Sequence, residues 1–171
     1  MRKLKNSELQ RLEVAEFKET PKIPLTVVLD NIRSLNNIGS VFRTSDAFVV
    51  EKIYLCDITA TPPNKDIHKT ALGATASVEW AYEENTLSLV ERLKNEGVTV
   101  VSIEQAENAT PLQDFEVSSQ KRYAIVLGNE VKGVQQAVVS ASDYCIEIPQ
   151  FGTKHSLNIS VTAGIVLWSF L

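Results

Sequence analysis

Two segments of this chain are apolar or β-branched at every position, so a strand formed from either one has no polar face. Residues 25–29 read Leu-Thr-Val-Val-Leu, and residues 123–127 read Tyr-Ala-Ile-Val-Leu. Strands buried on both faces have this pattern, which is typical of a parallel sheet covered by helices on each side. Segments with helical periodicity separate such strands along the chain. The sequence therefore predicts an α/β fold with a mostly parallel sheet flanked by helices on both faces.

Further elements are predicted from periodicity, turn residues and caps. The predicted strands are residues 25–29, 53–56, 77–80, 98–103, 123–127 and 144–148, and the predicted helices are residues 7–17, 39–48, 87–95, 134–141 and 156–171. Loops are predicted at residues 30–37, 57–66 and 149–155. Thr86 is the predicted N-cap of the helix 87–95, and Gly97 ends that helix because glycine commonly follows a helix C-terminus.

The last predicted helix is apolar around most of its circumference. The stripe taken as its main packing face consists of Leu157, Val161, Ile165 and Trp168. The apolar residues predicted on its outside are Ile159, Val166, Leu167 and Phe170. A helix that is apolar on more than one face needs more than one partner, which favours a subunit interface.

The chain carries a formal charge of −4 at pH 7, so a global basic field for nucleic acid is absent. Contact with RNA would have to come from local basic clusters, although most surface charges are simply solvated. The candidate clusters are Arg2, Lys3, Lys5 and Arg11; Lys65, His68 and Lys69; and Lys154 with His155. The length of 171 residues and the hydrophobic content of 44% suit one domain with its own core.

Two cysteines, Cys56 and Cys145, lie in apolar stretches and are predicted to be buried free thiols. The sequence has no Cys-x-x-Cys or Cys/His cluster, so no metal site is expected. The N-terminus lacks a secretory pattern, and the apolar segment 159–171 is shorter than the ~18 residues needed to span a bilayer. We therefore expect a cytoplasmic protein without a membrane segment.

Three polar segments begin where predicted strands end, which is where ligands bind in open α/β sheets. In the first, Asn37 and Gly39 lie where a loop becomes a helix, and Arg43 follows one turn later. A guanidinium in that place can grip a phosphate with two parallel hydrogen bonds. The alternative for Arg43 is an ordinary exposed arginine on a solvated helix face.

The second segment, residues 127–133, reads Leu-Gly-Asn-Glu-Val-Lys-Gly. A phosphate-binding P-loop would need Gly-Lys-Ser/Thr, whereas here the lysine precedes Gly133 and a valine follows it, so an NTPase is disfavoured. The glycines allow a tight turn and close approach of backbone to a flat ligand. An ordinary strand-to-helix turn is the alternative.

The third segment runs from Ile148 to Ser160. Ser156 is a candidate N-cap, which would leave Asn158 in the first turn of the last helix. Three polar groups (Ser156, Asn158 and Ser160) at the start of an otherwise apolar helix favour a functional role. Backbone N–H groups at a helix start also suit an anionic or carboxylate ligand.

Together these segments resemble the three motifs of the SPOUT methyltransferases, in the SpoU/TrmH branch, and the chain looks like a single-domain member. The first motif, Asn-x-Gly-x-x-x-Arg-Thr, is met by Asn37, Gly39, Arg43 and Thr44. The second, Leu-Gly-x-Glu-x-x-Gly, is met by Leu127, Gly128, Glu130 and Gly133. The third, Ile-Pro followed by Ser-Leu-Asn-x-Ser, is met by Ile148, Pro149, Ser156, Leu157, Asn158 and Ser160.

The resemblance implies a C-terminal deep trefoil knot whose loops hold S-adenosylmethionine, with no metal. The cofactor-binding residues that it implies are Ile103, Gly128, Asn129, Ile148, Ser156 and Leu157. Catalysis would involve Arg43, Asn37, Ser156 and Asn158, while Glu130 and Gly133 would shape the loop. It also implies a homodimer that pairs through the first core helix and the last helix.

By resemblance, the activity is methylation of the RNA ribose 2′-hydroxyl, with tRNA favoured because no separate RNA-binding domain is evident. An rRNA substrate, or a non-catalytic RNA-binding protein on the same fold, are the alternatives. Residues 1–24 form a basic extension, either an RNA-gripping arm or a packing brace across the dimer, and residues 25–171 form the methyltransferase domain. Gln150 stands where many family members have Met, and Ser34-Leu35-Asn36 stands where they often have Asp-Pro, which could alter the substrate pocket.

Overall fold

The computed structural model describes the backbone of residues 1–171 and every side chain except that of Asn6. The strands are β1 (Ile23–Asp30), β2 (Val50–Cys56), β3 (Glu79–Glu83), β4 (Thr99–Ile103), β5 (Thr110–Pro111), β6 (Tyr123–Leu127) and β7 (Tyr144–Glu147). They form one sheet in the order β3-β2-β1-β6-β4-β7-β5, and every neighbouring pair is parallel. The predicted parallel sheet is therefore confirmed.

Helices cover both faces of this sheet. They are α1 (Val14–Glu19), α2 (Leu35–Ala47), α3 (Lys65–Ala71), α4 (Ala74–Ser77), α5 (Thr86–Asn95), α6 (Gln136–Ala141) and α7 (Ile159–Ser169), with short 3₁₀ helices at Asn6–Glu8 and Leu112–Asp114. Helices α1 to α4 and α7 pack into one hydrophobic core, and α5 and α6 pack into a second. In β1, Val27 belongs to the first core and Val28 to the second, because successive strand residues point to opposite faces. This explains why both faces of β1 are apolar.

The carboxyl ends of the central strands lie at the same level. Leu29 of β1 pairs with Leu127 of β6, Leu127 pairs with Ile103 of β4, and Ile103 pairs with Ile146 of β7. The loops that leave these four strands therefore emerge side by side at one edge of the sheet. The three polar segments of the sequence follow β1, β6 and β7, so all three lie at this edge.

Several predicted helix boundaries are wrong, mainly because a residue other than the predicted one caps the helix. Helix α2 begins at Leu35, four residues early, since the Ser34 hydroxyl accepts a hydrogen bond from the Asn37 N–H at 3.3 Å. Asn85 rather than Thr86 caps α5, and Asn158 rather than Ser156 caps α7. Each of these side chains has a neighbour that can also cap, so sequence alone does not choose between them.

Other elements differ in extent. The helix predicted at residues 7–17 is mostly absent, because α1 starts only at Val14, where the Glu16 carboxylate accepts the Glu13 N–H at 2.8 Å. Helices α3 and α4 were not predicted. Asn64 caps α3 directly after Pro62-Pro63, and the two prolines gave this stretch the pattern of a loop.

The two apolar faces of α7 have roles opposite to the prediction. The outside set is buried, with exposed fractions of 0–8% at Ile159, Val166, Leu167 and Phe170. The stripe taken as the packing face is exposed, at 38% for Leu157, 51% for Val161, 40% for Ile165 and 68% for Trp168. Periodicity cannot rank two faces that are equally apolar. We call Val161, Ile165 and Trp168 the α7 stripe, because Leu157 precedes α7. Within the described chain, no helix has the length and apolar character needed to cross a membrane.

The contact between α2 and α3 requires a glycine at position 39. A Cβ added there would collide with the Ile67 carbonyl and the Thr70 hydroxyl. We expect Gly39→Ala to lower the free energy of unfolding by about 1–3 kcal/mol through overpacking, despite the better helix propensity of alanine. Urea unfolding of Gly39→Ala against Gly152→Ala, where nothing lies within 4 Å of the new Cβ, measures this. Equal stabilities of the two variants would contradict the close packing.

Candidate active site

A cleft of about 540 Å³ opens at the carboxyl edge of the sheet, between the loops that follow β4, β6 and β7. Every residue predicted to bind the cofactor lines it: Ile103, Gly128, Asn129, Ile148, Ser156 and Leu157. Asn158, Glu130 and Gly133 line it too. The glycine turn after β6 and the start of α7 therefore lie together around one cleft, as the motifs require.

The turn after β6, residues 128–134, is closed on itself. The Asn129 and Gly133 backbones exchange two hydrogen bonds, at 3.0 and 2.8 Å. The Asn129 side-chain oxygen accepts the N–H groups of Val131 and Lys132 at 2.9 and 3.0 Å. A Cβ at Gly128 would strike the Val134 N–H, so the turn can close only with glycine at its first position.

Glu104, the residue after β4, was not predicted. Its carboxylate accepts the N–H of Val134 at 2.9 Å and the N–H of Gln105 at 2.8 Å. It occupies the space that a Cβ on Gly133 would need, and Gly133 has a φ of +69°. The position was detectable in principle, because Glu104 follows a strand end at the same edge as the three motifs.

Glu130 fastens the turn to the start of α2. Its carboxylate accepts the N–H groups of Arg33 and Ser34, both at 3.0 Å, and the Asn37 side-chain N–H at 3.1 Å. Burial acts to raise the pKa of Glu130, but these hydrogen bonds to the ionised form outweigh it and hold the pKa below its ordinary value. The predicted loop-shaping position of Glu130 thus has a specific geometry.

Asn37 connects this carboxylate to the start of α7. Because its amide nitrogen donates to Glu130, its oxygen is free to accept the Asn158 side-chain N–H at 3.2 Å. The Asn158 oxygen in turn accepts the backbone N–H of Ser160 at 2.9 Å and its hydroxyl at 2.6 Å. One hydrogen-bonded chain, Glu130–Asn37–Asn158, therefore joins all three sequence motifs.

A second anchor, also missed by the sequence analysis, lies beneath the turn. Asp30 is fully buried and accepts the backbone and side-chain N–H groups of Gln135 at 2.9 and 2.7 Å. It also accepts the Thr86 hydroxyl at 2.7 Å, and the Asn31 carbonyl accepts the Asn129 side chain at 2.7 Å. Residues 30–37 thus contact the turn near its start, in its middle and at the residue that directly follows it.

Arg43 lies apart from the cleft. It is an exposed residue of α2, six positions after Asn37, and it is not among the cleft residues. Within the described part of the chain, its guanidinium has no hydrogen bond or ion pair to another residue. Because α2 begins at Leu35 and not at Gly39, Arg43 lies about one turn farther from the helix start than predicted.

Burial disfavours the reactive thiolate form of both cysteines by raising the pKa of each thiol. Burial raises the pKa of the Cys56 thiol to about 12, so this group stays protonated. The prediction of a buried free thiol is confirmed for Cys56 and wrong for Cys145, which is a free thiol but only partly buried. Among the described residues, no cluster of three or more His, Cys, Asp or Glu side chains is arranged to hold a metal ion.

The cleft suits a ligand with a flat apolar part and a charged part. Apolar walls come from Ile103, at the end of β4, and from Ile148 and Leu157, near the two ends of the loop between β7 and α7. Glu147, at the end of β7, and Thr162, in α7, are polar lining residues that the sequence analysis did not identify. A pocket of this volume and mixed lining is typical of cofactor sites at the carboxyl edge of α/β sheets.

Comparison with known proteins agrees with this geometry. A TrmH family tRNA/rRNA methyltransferase of Staphylococcus saprophyticus is 29% identical over 155 residues, which cover 91% of this chain and 61% of the relative. The chain thus spans about three fifths of the length of that relative. Two crystal structures are also similar. The A. aeolicus TrmH/SpoU tRNA modifying enzyme has a TM-score of 0.81 and 26% identity, covering 92% of this chain and 80% of that one.

The second structure is an AdoMet-bound rRNA methyltransferase from Sinorhizobium meliloti, with a TM-score of 0.81 and 25% identity, covering 90% of this chain and 59% of that one. The model of the SpoU rRNA Methylase family matches residues 24–168, which is most of the sequence. The resemblance seen in the three motifs is thereby confirmed. The chain belongs to the SpoU rRNA methylase family of RNA methyltransferases.

Proposed function

We propose that this protein is an RNA 2′-O-ribose methyltransferase that uses S-adenosylmethionine and acts on tRNA in the cytoplasm. The observation that carries the proposal is the Glu130–Asn37–Asn158 chain, which assembles three distant motifs around one cleft. Methylation of rRNA ribose is the second candidate, since the similar S. meliloti protein is an rRNA methyltransferase. A non-catalytic RNA-binding role is the third, and it predicts no cofactor affinity.

The cleft fits S-adenosylmethionine in size and chemistry. When bound, this cofactor supplies an electrophilic methyl group on a sulfonium. Ile103, Ile148 and Leu157 would enclose the adenine, while backbone groups at Gly128 and Asn129 and the side chain of Ser156 would orient it. The AdoMet bound to the S. meliloti relative supports this assignment.

Arg43 is proposed to contact the phosphate of the target nucleotide. A ribose hydroxyl is a poor nucleophile until its proton is removed, and an arginine is nearly always protonated in proteins. Positioning of the phosphate and stabilisation of developing charge are therefore its favoured roles. Asn37 and Asn158 would orient the ribose, because their amides are already fixed by hydrogen bonds.

We also propose a homodimer that pairs through α2 and the α7 stripe. Trp168 is 68% exposed and contacts Phe48, the residue after α2, with ring centroids 6.0 Å apart. An exposed apolar stripe of this kind is typical of an interface. Exposed Arg43 belongs to the same helix pair, so pairing would place it at the interface.

The two remaining parts of the proposal concern the chain path. We propose that the C-terminal segment is threaded into the trefoil knot of the family, which would keep residues 128–134 and 148–158 in contact. Residues 1–24 are proposed as a basic helical extension that grips RNA, with a brace across the dimer as the alternative. Phe17 packs into the first core and Ile23 begins β1, so the part available to RNA would precede α1. Near the start of this extension, the Arg2 guanidinium pairs with the Glu8 carboxylate at 2.7 Å, so not all of the positive charge of the extension is free.

The catalytic role of Arg43 is testable by substitution. We expect Arg43→Ala to lower kcat/KM on tRNA by at least about a hundredfold, as for loss of a group that stabilises developing charge. S-adenosylmethionine affinity should not change, because Arg43 does not line the cleft. Tritium transfer to total tRNA, with calorimetry for the cofactor, measures both. Arg122→Ala, which removes an exposed arginine paired with Glu51, is the control. Unchanged activity of Arg43→Ala would refute the role.

Because the pKa of Glu130 is shifted, the contact between its carboxylate and the start of α2 depends on pH. Folding lowers the pKa of this carboxyl, so its stabilisation is present above the ordinary glutamate pKa and is lost as the pH falls through the lowered pKa. We expect Glu130→Gln to be less stable than wild type at neutral pH, with the difference shrinking as the pH falls through that range. Thermal unfolding between pH 7 and pH 3 measures it, with Glu107→Gln, at an exposed position, as control. A difference independent of pH would contradict the assignment.

The interface is testable at Trp168. We expect Trp168→Glu to convert a dimer into monomers, because burying a charge in an apolar contact is unfavourable. Light scattering after size exclusion gives the mass of each species. Ile58→Glu is a matched control, since Ile58 is 64% exposed but lies outside α2 and α7. A monomeric wild type, or a dimer that survives the Trp168 change, would reject this interface.

A further inference from the structure

The loop between β7 and α7 carries an exposed aromatic ring at the mouth of the cleft. Phe151 is 97% exposed, although burial of a phenylalanine side chain is strongly favourable in water. Its neighbour Gln150 lines the cleft, and so does His155 on the far side of the loop tip. The ring therefore stands at the rim of the cleft and not inside it.

The turn after β6, which also lines the cleft, has a similar pair of side chains. Val131, in the turn after β6, is 78% exposed, and the adjacent Lys132 lines the cleft. On the Phe151 side, exposed Lys154 follows three residues later. Each of these two segments thus combines an exposed apolar side chain with a lysine, and in the described part of the chain neither lysine has an ion-pair partner.

The carboxylates nearest this mouth are largely occupied. Glu104 is bonded to the Val134 and Gln105 N–H groups, and Glu130 is bonded to backbone and amide N–H groups at the start of α2. Glu147 also lines the cleft, at its β7 wall. Lys132 and Lys154 therefore place two exposed ammonium groups beside the mouth of the cleft, on a chain whose net charge is −4.

The loop that carries Phe151 is fixed at its base. The Gln105 side chain donates to the His155 carbonyl at 2.7 Å, and Asn158 caps α7. Phe151 lies between these anchors and β7, so its exposure comes from a loop whose C-terminal side is held. A held loop can present a ring to a ligand at lower entropic cost than a free one.

We propose that Phe151 is a stacking platform for an unpaired base of the RNA substrate, with Lys132 and Lys154 contacting the phosphates beside it. Proteins recognise unpaired RNA by stacking splayed bases on aromatic side chains and by pairing lysines with the backbone. The proposed adenine position would have apolar walls at Ile103 and Ile148, inside the cleft and not at its mouth. This inference rests on the proposed function, because it concerns the RNA of the same site.

The test compares Phe151→Ala with Phe151→Trp, using total tRNA from cells that lack the gene as the substrate. Loss of one base-aromatic stack should raise KM for tRNA by about tenfold to a hundredfold. The kcat and the S-adenosylmethionine Kd should stay within about twofold, and Trp should restore KM, because it keeps a stacking face. Val117→Ala is the control, since Val117 is 37% exposed and precedes β6 at the other edge of the sheet.

Three results would overturn the proposal. An unchanged KM in Phe151→Ala would show that the ring does not contact RNA. A loss of S-adenosylmethionine affinity in Phe151→Ala would show that the ring contacts the cofactor adenine. A change in the oligomeric mass of this variant would show that the ring lies in a subunit contact. If wild type transfers no methyl group, the proposed function fails, and anisotropy with a fluorescent single-stranded RNA still decides whether Phe151→Ala weakens binding.

Discussion

The contacts of the Glu130 carboxylate are those on which the rest of the site depends. It accepts three N–H groups from residues that lie more than 90 positions away in sequence. A carboxylate has acceptors only, so all three donors can be satisfied at once, whereas a glutamine would turn a donor toward one of them. Two of the donors, at Arg33 and Ser34, precede α2, where the helix dipole also favours negative charge. Asn37 extends this contact to Asn158 and therefore to α7.

The sheet decides where such a contact can form. Strands β1, β6, β4 and β7 are neighbours and end at the same level, although they are far apart along the chain. β1 is followed by α2 on one face, while β6 and β7 are followed by the turn and loop that line the cleft. The chain leaves β1 toward β2 on one side and leaves β6 toward β7 on the other side, and adjacent strands whose connections diverge in this way open a ligand crevice at their carboxyl ends. The buried Asp30–Gln135 contact then holds the exit of the turn against β1.

Most of the fold and part of the site could be predicted from the sequence, and the physical reason differs from one element to another. Strands such as Tyr123–Leu127 were predictable because burial on both faces leaves a continuous apolar pattern. Caps were harder, because Thr86 and Asn85, or Ser156 and Asn158, have the same local chemistry and only the three-dimensional partners distinguish them. The faces of α7 could not be ranked, since the choice depends on packing against the sheet. Glu104 was missed because its partners are backbone N–H groups, which leave no mark on residue type, and Asp30 was missed because Thr86 and Gln135 are distant in sequence.

An acidic chain can still present a basic surface to RNA, because charges act over short distances in salt. At physiological ionic strength the Debye length is about 8 Å, so an exposed phosphate responds to the groups beside it and hardly to the net charge. In this protein three carboxylates accept internal hydrogen bonds: Asp30 from Gln135 and Thr86, Glu104 from backbone N–H groups, and Glu130 from backbone and Asn37 N–H groups. These carboxylates count fully toward the charge of −4, but their oxygen atoms face internal N–H and O–H donors. The composition therefore excludes a diffuse basic field but leaves room for the two exposed lysines beside the mouth of the cleft.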